Sequence, residues 1–457
     1  DYPDGIIMPD CLVMTSGNPA GAPICRTDQD LTSQLDGLCD IVLSHNRKIR
    51  LRADDSVMDF FEDKPYMIRR SRGYAPLPIM LRGNWAGEVL GIGGELKNTF
   101  CLAHDALFYP SPYIGDMSDL RTVLALRESI VRMETLLETK PSLVACDLHP
   151  RYNTTQAARE LGIPVLPVQH HYAHILSCMA ENNVLTPVIG VSFDGTGYGT
   201  DGTIWGGEFL LAGLDGFKRL GSIQPFRQTG GDKASVEGWR IAVALLYAQT
   251  GSQEETARIA KKLQLCTESD LPAQFFMADQ KVNCITSTSA GRLFDAVSAL
   301  LGIRRASTFE GEASMYLEFT AEAWLEKQNG RRPPAGPVPP LACAEDGRFL
   351  LPTGTLFQML ARQRLAETEA GALAYVFHQQ LAALIITGCE HAAKLSRLHT
   401  VALSGGVFQN QLLLQLCTDH LRQKGFQVLL HSLIPPNDGG LALGQALAAM
   451  QKLKEQS

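Results

Sequence analysis

Apolar positions along this chain recur with two periods, and the alternation between them predicts the elements. From residue 88, "EVLGIGGELKNTFCLAHDALFYPS" alternates apolar residues with glycine turns, the period-two pattern of a β-meander. A helix is expected over about 119 to 139, then a strand "SLVACDL" (142 to 148), a helix "TTQAARELG" and a strand "PVLPVQ". A further helix is expected to start near Gln169. The theme then returns: "PVIGVSFDGTGYGTDGTIWGGEFLLAG" (187 to 213) reads as strand, glycine turn, strand, strand. Later, "SAGRLFDAVSALLG" (289 to 302) reads as a helix with a Ser/Gly entry, and "NGRRPPAGPVPP" (329 to 340) as a Pro-rich surface excursion. "HTVALSGGVFQNQLLLQLC" (399 to 417) is buried strand, glycine turn, helix; "FQVLLH" is a strand, and "IPPNDGGLALGQALAAM" (434 to 450) is loop then helix. Upstream, residues 1 to about 80 read as a separate unit. It has a strand at "CLVMTSGN" (11 to 18), a second at "CDIVLSHN" (39 to 46), and a third segment "PYMIRRSRGYAPLP" (65 to 78) with an Arg-rich exit. "LRGNWAG" (81 to 87) reads as a linker.

"VLGIGGELKNTFCLA" and "VIGVSFDGTGYGTDG" share strand–turn–strand character, so the second unit contains an internal repeat. A meander followed by alternating helix and strand, present twice, matches an α/β (and α+β) plan of two lobes, ribonuclease-H-like or actin-like. The lobes are expected at about 88 to 186 and 187 to 457. In that plan nucleotide phosphates lie between lobes, against glycine turns such as 93 to 94, 195 to 202 and 405 to 406, where backbone N–H groups approach an anion unobstructed.

Composition narrows the class. With 457 residues, 45% hydrophobic and 19% charged, the chain fits a globular enzyme of roughly two to four domains. A net charge of −7 leaves no overall basic footprint and argues against broad nucleic-acid binding. The 11 cysteines are an odd number and none lies closer than 14 residues to the next, which excludes CxxC knuckles and does not suggest a disulfide framework. A reducing cytoplasm is expected, with no signal peptide. The longest apolar helix, around "LAALIITG" (381 to 388), is expected to be too short to cross a membrane. The opening "DYPDGIIMPDCLVMTSGN" lacks a methionine at Asp1 and reads like a chain already inside a domain, as in a fragment.

Candidate chemistry centres on "VQHHYAHI" (168 to 175). In a helix starting near Gln169, His170 and His174 stand one turn apart on one face and can chelate one metal ion. His171 points elsewhere. A polar helix start with solvated rings reads the same residues equally well.

The stretches "TSGNPAG", "HNRKIRLRADDSV", "RRSRGYAP", "GIGGELKNTF", "CDLHPRY", "QHHYAH", "DGTGYG", "SAGRLFDAVSALLG", "SGGVFQNQLL" and "NDGGLALGQA", in this order, resemble the HypF-type carbamoyltransferases of nickel–iron (NiFe) hydrogenase maturation. The resemblance spans nearly the whole chain. It makes residues 1 to about 80 the C-terminal part of a YrdC-like domain. It makes 88 to 457 the domain shared with tRNA threonylcarbamoyl transferases and antibiotic O-carbamoyltransferases. An acylphosphatase-like domain and paired CxxC zinc fingers normally precede these and are not in this sequence. The implied activity is ATP-dependent and forms AMP and pyrophosphate. Carbamoyl phosphate yields carbamate, which is adenylated with ATP (and Mg). The carbamoyl group of carbamoyl-adenylate then passes to the C-terminal cysteine of a HypE-type acceptor, the precursor of the iron cyanide ligand.

The same resemblance implies roles for particular residues. His170, His174, Asp438 of "PNDGG" and Asp194 of "SFDGTG" would hold one divalent metal, Zn or Fe. Gly405, Gly406 and Asn410 would contact nucleotide, Asp295 the ribose, with Gly291 and Glu312 as neighbours. Lys233 and Arg240 would neutralise phosphates, although Val236-Glu237-Gly238-Trp239-Arg240 departs from the family's Arg-Glu-Pro-Trp-Arg. His149 would orient the carbamoyl group or cap its turn. In the first unit Ser16, Asn18 and Ser56, with Arg52, Arg69 and Arg70, would bind ATP or carbamoyl-adenylate. No cysteine here reads as an activated nucleophile. The alternative readings are a tRNA threonylcarbamoyl transferase, a small-molecule O-carbamoyltransferase, or a non-catalytic nucleotide-binding module of the same fold.

Overall fold

A hairpin forms at "VMDFFEDKPYMIR" because two left-handed residues, Glu62 and Asp63, stand between two extended runs. The computed structural model describes residues 10–12, 14–19, 21–332 and 336–456. A short helix α1 (Asp28–Gln34) precedes the antiparallel strands β1 (Val57–Phe61) and β2 (Lys64–Arg69). The strands expected at 11 to 18 and 39 to 46 do not form among the described residues. Ile41 and Leu43 are exposed by 87% and 97%, so no neighbouring ladder or core rewards extension there.

Two sheets follow. The first contains β3 (Ile79–Met80), β4 (Glu88–Gly91), β5 (Cys101–His104), β6 (Leu107–Pro110), β7 (Leu143–Asp147) and β8 (Val165–Val168), in the order β3-β6-β5-β4-β7-β8. Strands β4 to β6 form the meander, and β7 and β8 extend it in parallel after helices α2 (Leu120–Leu137) and α3 (Asn153–Glu160). Helix α4 (His170–Glu181) then leads to the second sheet. Its main strands are β9 (Val188–Tyr198), β10 (Ile204–Gly213) and β11 (Gly216–Ile223), with β12 (Phe226–Thr229) and β13 (Cys284–Ser287) alongside. It is completed by β14 (Ala342–Cys343), β15 (Phe349–Leu351), β16 (Thr400–Ser404) and β17 (Gln427–Leu429), in the order β14-β15-β11-β10-β9-β16-β17. Here too a meander is extended in parallel by two later strands, β16 and β17, so the two sheets repeat one topology. Gly195 lies inside β9, and the turn itself falls at 199 to 203.

Eight helices pack around the second sheet: α5 (Gly238–Thr250), α6 (Gln253–Lys262), α7 (Leu271–Gln280), α8 (Ala290–Leu301), α9 (Glu312–Lys327), α10 (Thr353–Leu365), α11 (Ala370–Ser396) and α12 (Gln411–Gln423). Helix α11 corrects the expected length: at 27 residues it is long and apolar enough to cross a bilayer. Its side chains Leu373, Phe377, Leu381, Leu384 and Ile385 instead fill the core of this lobe.

Three further departures concern boundaries. The expected linker is packed, with Leu81 and Trp85 buried and the Trp85 indole donating to the Arg82 carbonyl. The last helix, α13 (Leu441–Gln456), returns to the first sheet, where Ala442, Ala446 and Met450 join Val89, Ala103 and Ala145 in one core. Hairpin β1–β2 in turn sends Phe61 and Tyr66 into the core of the second lobe. Tyr66 donates its hydroxyl to the Phe408 carbonyl, and the Met67 N–H to the Ser432 carbonyl.

Helices α13 and α4 meet at Gly444, where a Cβ would stand 1.9 Å from the Ala173 carbonyl oxygen. That contact fixes the helix carrying both histidines. Gly444→Ala must push the helices apart, so it is expected to destabilise the fold by about 1–3 kcal/mol, the usual range for overpacking. A lowered melting temperature by circular dichroism would show it. Unchanged melting would mean that the helix pair is not tight there.

Candidate functional site

Helix α4 begins at a cap. Gln169 accepts the Tyr172 N–H through its side chain and donates to the Tyr198 carbonyl. The first two turns therefore hold His170 and His174 on one buried face, ring centroids 4.9 Å apart. Asp194 reaches them from β9, and Asp438 from the turn before α13. His170 Nε2 lies 3.3 Å from Asp194 Oδ2 and 3.5 Å from Asp438 Oδ1; His174 Nε2 lies 3.8 and 3.6 Å from the same atoms. One donor atom from each of the four falls within 4.8 Å of all the others, a group that can hold a single metal ion. His174 Nε2 is buried without a hydrogen-bond partner.

The surroundings hold these donors in place. Asp147, the last residue of β7, lies 2.7 Å from His170 Nδ1. Donation from Nδ1 to this carboxylate would leave Nε2 to bind an ion once its own proton is displaced. The Gly406 N–H donates to Asp194 Oδ1 at 3.0 Å, while Oδ2 faces the imidazoles. Gly405 must be glycine: its φ is 101°, and a Cβ would stand 2.1 Å from the Phe193 carbonyl oxygen. Burial opposes protonation of both imidazoles, yet Asp438, Asp147 and Asp194 outweigh it at His170, and Asp194 and Asp438 outweigh it at His174, so both pKa values rise. Burial likewise opposes the charges of Asp194 and Asp438, and the two imidazoles pull both carboxyls below the usual range. His171 lies outside the cluster. Burial and neighbouring His170 push its pKa well down, and its ring packs against Gly197 and Trp205.

Lys97, not singled out in the sequence, stands at the mouth of the cluster. Its backbone N–H donates to Asp116, and its ammonium pairs with Glu310 of the other lobe. Burial works against its charge, but Glu310, Asp438 and Asp194 raise its pKa. A lysine among polar neighbours in "GGELKN" carries no local signal for this; only the folded lobes bring it to Glu310. Asp147 was equally silent, reading as the polar end of a strand.

The remaining expected residues separate into those near a site and those committed elsewhere. His149 follows Asp147, whose Oδ1 accepts its N–H; its ring stacks on Tyr152 at 4.1 Å, and burial lowers its pKa. Asp295 is buried, 3.0 Å from the Arg292 guanidinium and 3.4 Å from Ser314 Oγ, and burial raises its pKa. Gly291 lies against Gly195. Glu312 accepts from Thr308 and pairs with Arg304. Asn410 caps α12 by accepting the Leu413 N–H, and its amide meets His378 at 2.9 Å. Arg240 pairs with Glu237 and lies over the Trp239 ring, while Lys233 is exposed on the short turn before it; no described contact joins either to the cluster.

In the first unit, Ser16, Asn18, Arg52 and Arg69 line one cavity of about 230 Å³, closed from the other side by Tyr113, Asp116 and Ser129 of the first lobe. Arg52 is already paired with Glu128 at 3.0 Å and Arg69 with Asp54 at 3.5 Å. Ser56 and Arg70 do not line it. Ser56 bonds the Arg72 carbonyl and the Ser71 N–H. Arg70 is buried, donating to the carbonyls of Pro110, Tyr74 and Leu77, and burial lowers its pKa to about 10. Five cysteines, Cys101, Cys146, Cys178, Cys389 and Cys417, are buried with thiol pKa values pushed up by burial.

Comparison with known proteins agrees with this architecture. Residues 190–445 match the second subdomain of the carbamoyltransferase Kae1-like domain, 85–181 the HypF Kae1-like domain, and 6–71 the Sua5/YciO/YrdC family described as telomere recombination. The chain is 37% identical to carbamoyltransferase HypF2 of Cupriavidus necator, covering 96% of this chain and 56% of that protein. It is 34% identical to a probable carbamoyltransferase HypF of Methanocaldococcus jannaschii over the same shares. The chain thus spans about half the length of these curated relatives. A HypF homolog of C. necator is covered over 93% of its length, at 36% identity. The solved structure of full-length HypF in a phosphate- and nucleotide-bound form superposes with a TM-score of 0.88 at 33% identity, over 96% of this chain and 67% of that one. Matched family domains, a relative covered almost end to end and a shared fold together make this chain a member of the HypF carbamoyltransferase family.

Proposed function

We propose that this chain carries out the transfer step of hydrogenase maturation, moving the carbamoyl group of carbamoyl-adenylate to the C-terminal cysteine of a HypE-type acceptor. The observation that carries the reading is the cluster of His170, His174, Asp194 and Asp438 beside the Gly405–Gly406 turn, in a chain of the carbamoyltransferase family. Two imidazoles and two carboxylates are a donor set suited to Zn(II) or Fe(II). The partnerless, buried Nε2 of His174 supports that fit. When bound, such an ion would supply Lewis-acid polarisation of a carbonyl or phosphoryl oxygen.

The chain's own residues do the rest. Asp147 fixes the orientation of His170, and the Gly406 N–H that of Asp194. Lys97 offers a cation at the mouth, balanced by Glu310, for the adenylate phosphate. Burial of His170, His174 and Asp194 would limit the access of water, which hydrolyses an acyl-adenylate. In the transfer, the acceptor sulfur bonds to the carbamoyl carbon and the bond from that carbon to the phosphate oxygen breaks. AMP leaves with the electron pair, and the thiol proton passes to solvent. The cavity lined by Ser16, Asn18, Arg52 and Arg69 would receive the phosphates of ATP (with Mg) or of carbamoyl-adenylate. Carbamoyl phosphate would be the upstream substrate of the longer family members.

His174→Ala and Asp438→Ala are expected to abolish transfer and zinc retention while circular dichroism remains native. Asp147→Asn should weaken zinc binding by roughly 10- to 100-fold, the usual cost of losing a partner that orients a ligand. Asp295→Ala should reduce adenylate affinity more than metal content. Wild-type zinc content and transfer in the first pair would sink the metal assignment. The transfer itself is tested by supplying synthetic carbamoyl-adenylate and HypE and reading the mass of the acceptor. A carbamoyl addition at its C-terminal cysteine is expected. A folded, metal-loaded chain that leaves the acceptor unmodified would overturn the proposed acceptor chemistry.

A further inference from the structure

Behind the metal cluster runs a second, separate chain of polar contacts. Ser404 Oγ lies 2.8 Å from His431 Nε2, and His431 Nδ1 lies 2.9 Å from Glu181 Oε2. The other oxygen of Glu181 accepts the backbone N–H groups of Ser432, Leu433 and Ile434 at 3.0, 2.6 and 3.1 Å. The order serine, histidine, acid is that of a hydrolytic triad. That role does not fit here, because Ser404 is 0% exposed and offers no face to a substrate.

The positions of these residues point to another role. Glu181 is the last residue of α4, whose first two turns carry His170 and His174. Ser404 is the last residue of β16, directly before the Gly405–Gly406 turn that holds Asp194. His431 to Ile434 open the segment that runs through Pro435, Pro436 and Asn437 to Asp438, and the Pro436 carbonyl accepts the Gly405 N–H. One relay therefore joins the two segments that deliver His170, His174 and Asp438 to the turn whose Gly406 N–H holds Asp194. We propose that Glu181, through His431 and Ser404, is a positioning unit that fixes the distance of Asp438 from the two imidazoles and so sets metal affinity. This rests on reading the cluster as a metal site.

The physics favours a shift of the loop over its collapse when the relay is cut. A buried carboxylate collecting three backbone N–H groups and an imidazole makes strong, charge-assisted bonds, and its loss leaves those donors unpaired. The loop is also held from its other side by β2. The Ser432 carbonyl accepts the Met67 N–H, Ser432 Oγ donates to the Pro65 carbonyl, and the Asn437 amide donates to the Ile68 carbonyl. With those bonds intact the segment stays folded while its register against α4 loosens.

The test measures Zn(II) affinity by chelator competition, and the Co(II) absorption spectrum, on the full chain. Glu181→Ala should bind zinc roughly 10- to 100-fold more weakly and shift the cobalt bands. Glu181→Gln keeps an oxygen acceptor for the three N–H groups and should recover most of that loss. Ser404→Ala cuts only the far end and should weaken binding by less, which keeps the test open if Glu181→Ala does not fold. If Glu181→Ala and Ser404→Ala melt earlier but bind zinc and cobalt like wild type, the relay is structural only and the inference is overturned. If the wild-type chain binds neither ion, the metal reading fails and this inference falls with it.

Discussion

Two carboxylates side by side, one buried and one half-buried, govern this molecule. Asp194 and Asp438 would repel one another and be driven to their neutral forms unless positive charge stood close by. The fold supplies it in layers. The imidazoles of His170 and His174 are drawn toward protonation, the N-terminal turn of α4 adds its dipole, the Gly406 N–H bonds one oxygen, and Lys97 contributes from the rim. Protons and a divalent cation would thus compete for the two imidazoles, and a bound metal would displace those protons from ligands that are already oriented.

The repeated sheet explains why these residues meet. In each lobe a meander is extended by two parallel strands, so strand ends converge on one face. Asp147 ends β7 and Ser404 ends β16, both beside the crevice where α4 crosses from one sheet to the other. Ligands of open α/β sheets bind outside such carboxyl ends, because helix starts and glycine turns leave N–H groups free there. The return of α13 to the first sheet closes the arrangement, carrying Asp438 on the turn that precedes it.

What was legible in the sequence was local. The spacing of His170 and His174 and the doubled meander follow from short-range patterning, whereas Asp194 and Asp438 are picked out by the family resemblance, and Asp194 lies within β9 rather than in a turn. Residues whose meaning is set by distant partners were not legible. Asp147 looks like a strand end until His170 faces it, and Glu181 looks like a surface helix acid until the 431–434 backbone wraps it. Arg70 reads as a phosphate ligand but is enclosed by three carbonyls. The apolar runs at 11 to 18 and 39 to 46 have strand composition, yet β structure needs a neighbour, and composition alone does not supply one. Helix α11 was underestimated because its polar ends, "FHQQ" and "CEHAAK", are absorbed into one continuous helix, with His378 bonded to Asn410.

Irregular segments ordinarily open first, since few bonds hold them. The stretch from His431 to Asp438 is irregular, yet α4 grips it from one side and β2 from the other. Its backbone groups are bonded to Glu181 of α4, to Met67 of β2 and to Gly405 beside the cluster. Asp438 is therefore tied to regular elements on both sides, and its release requires those bonds to open together.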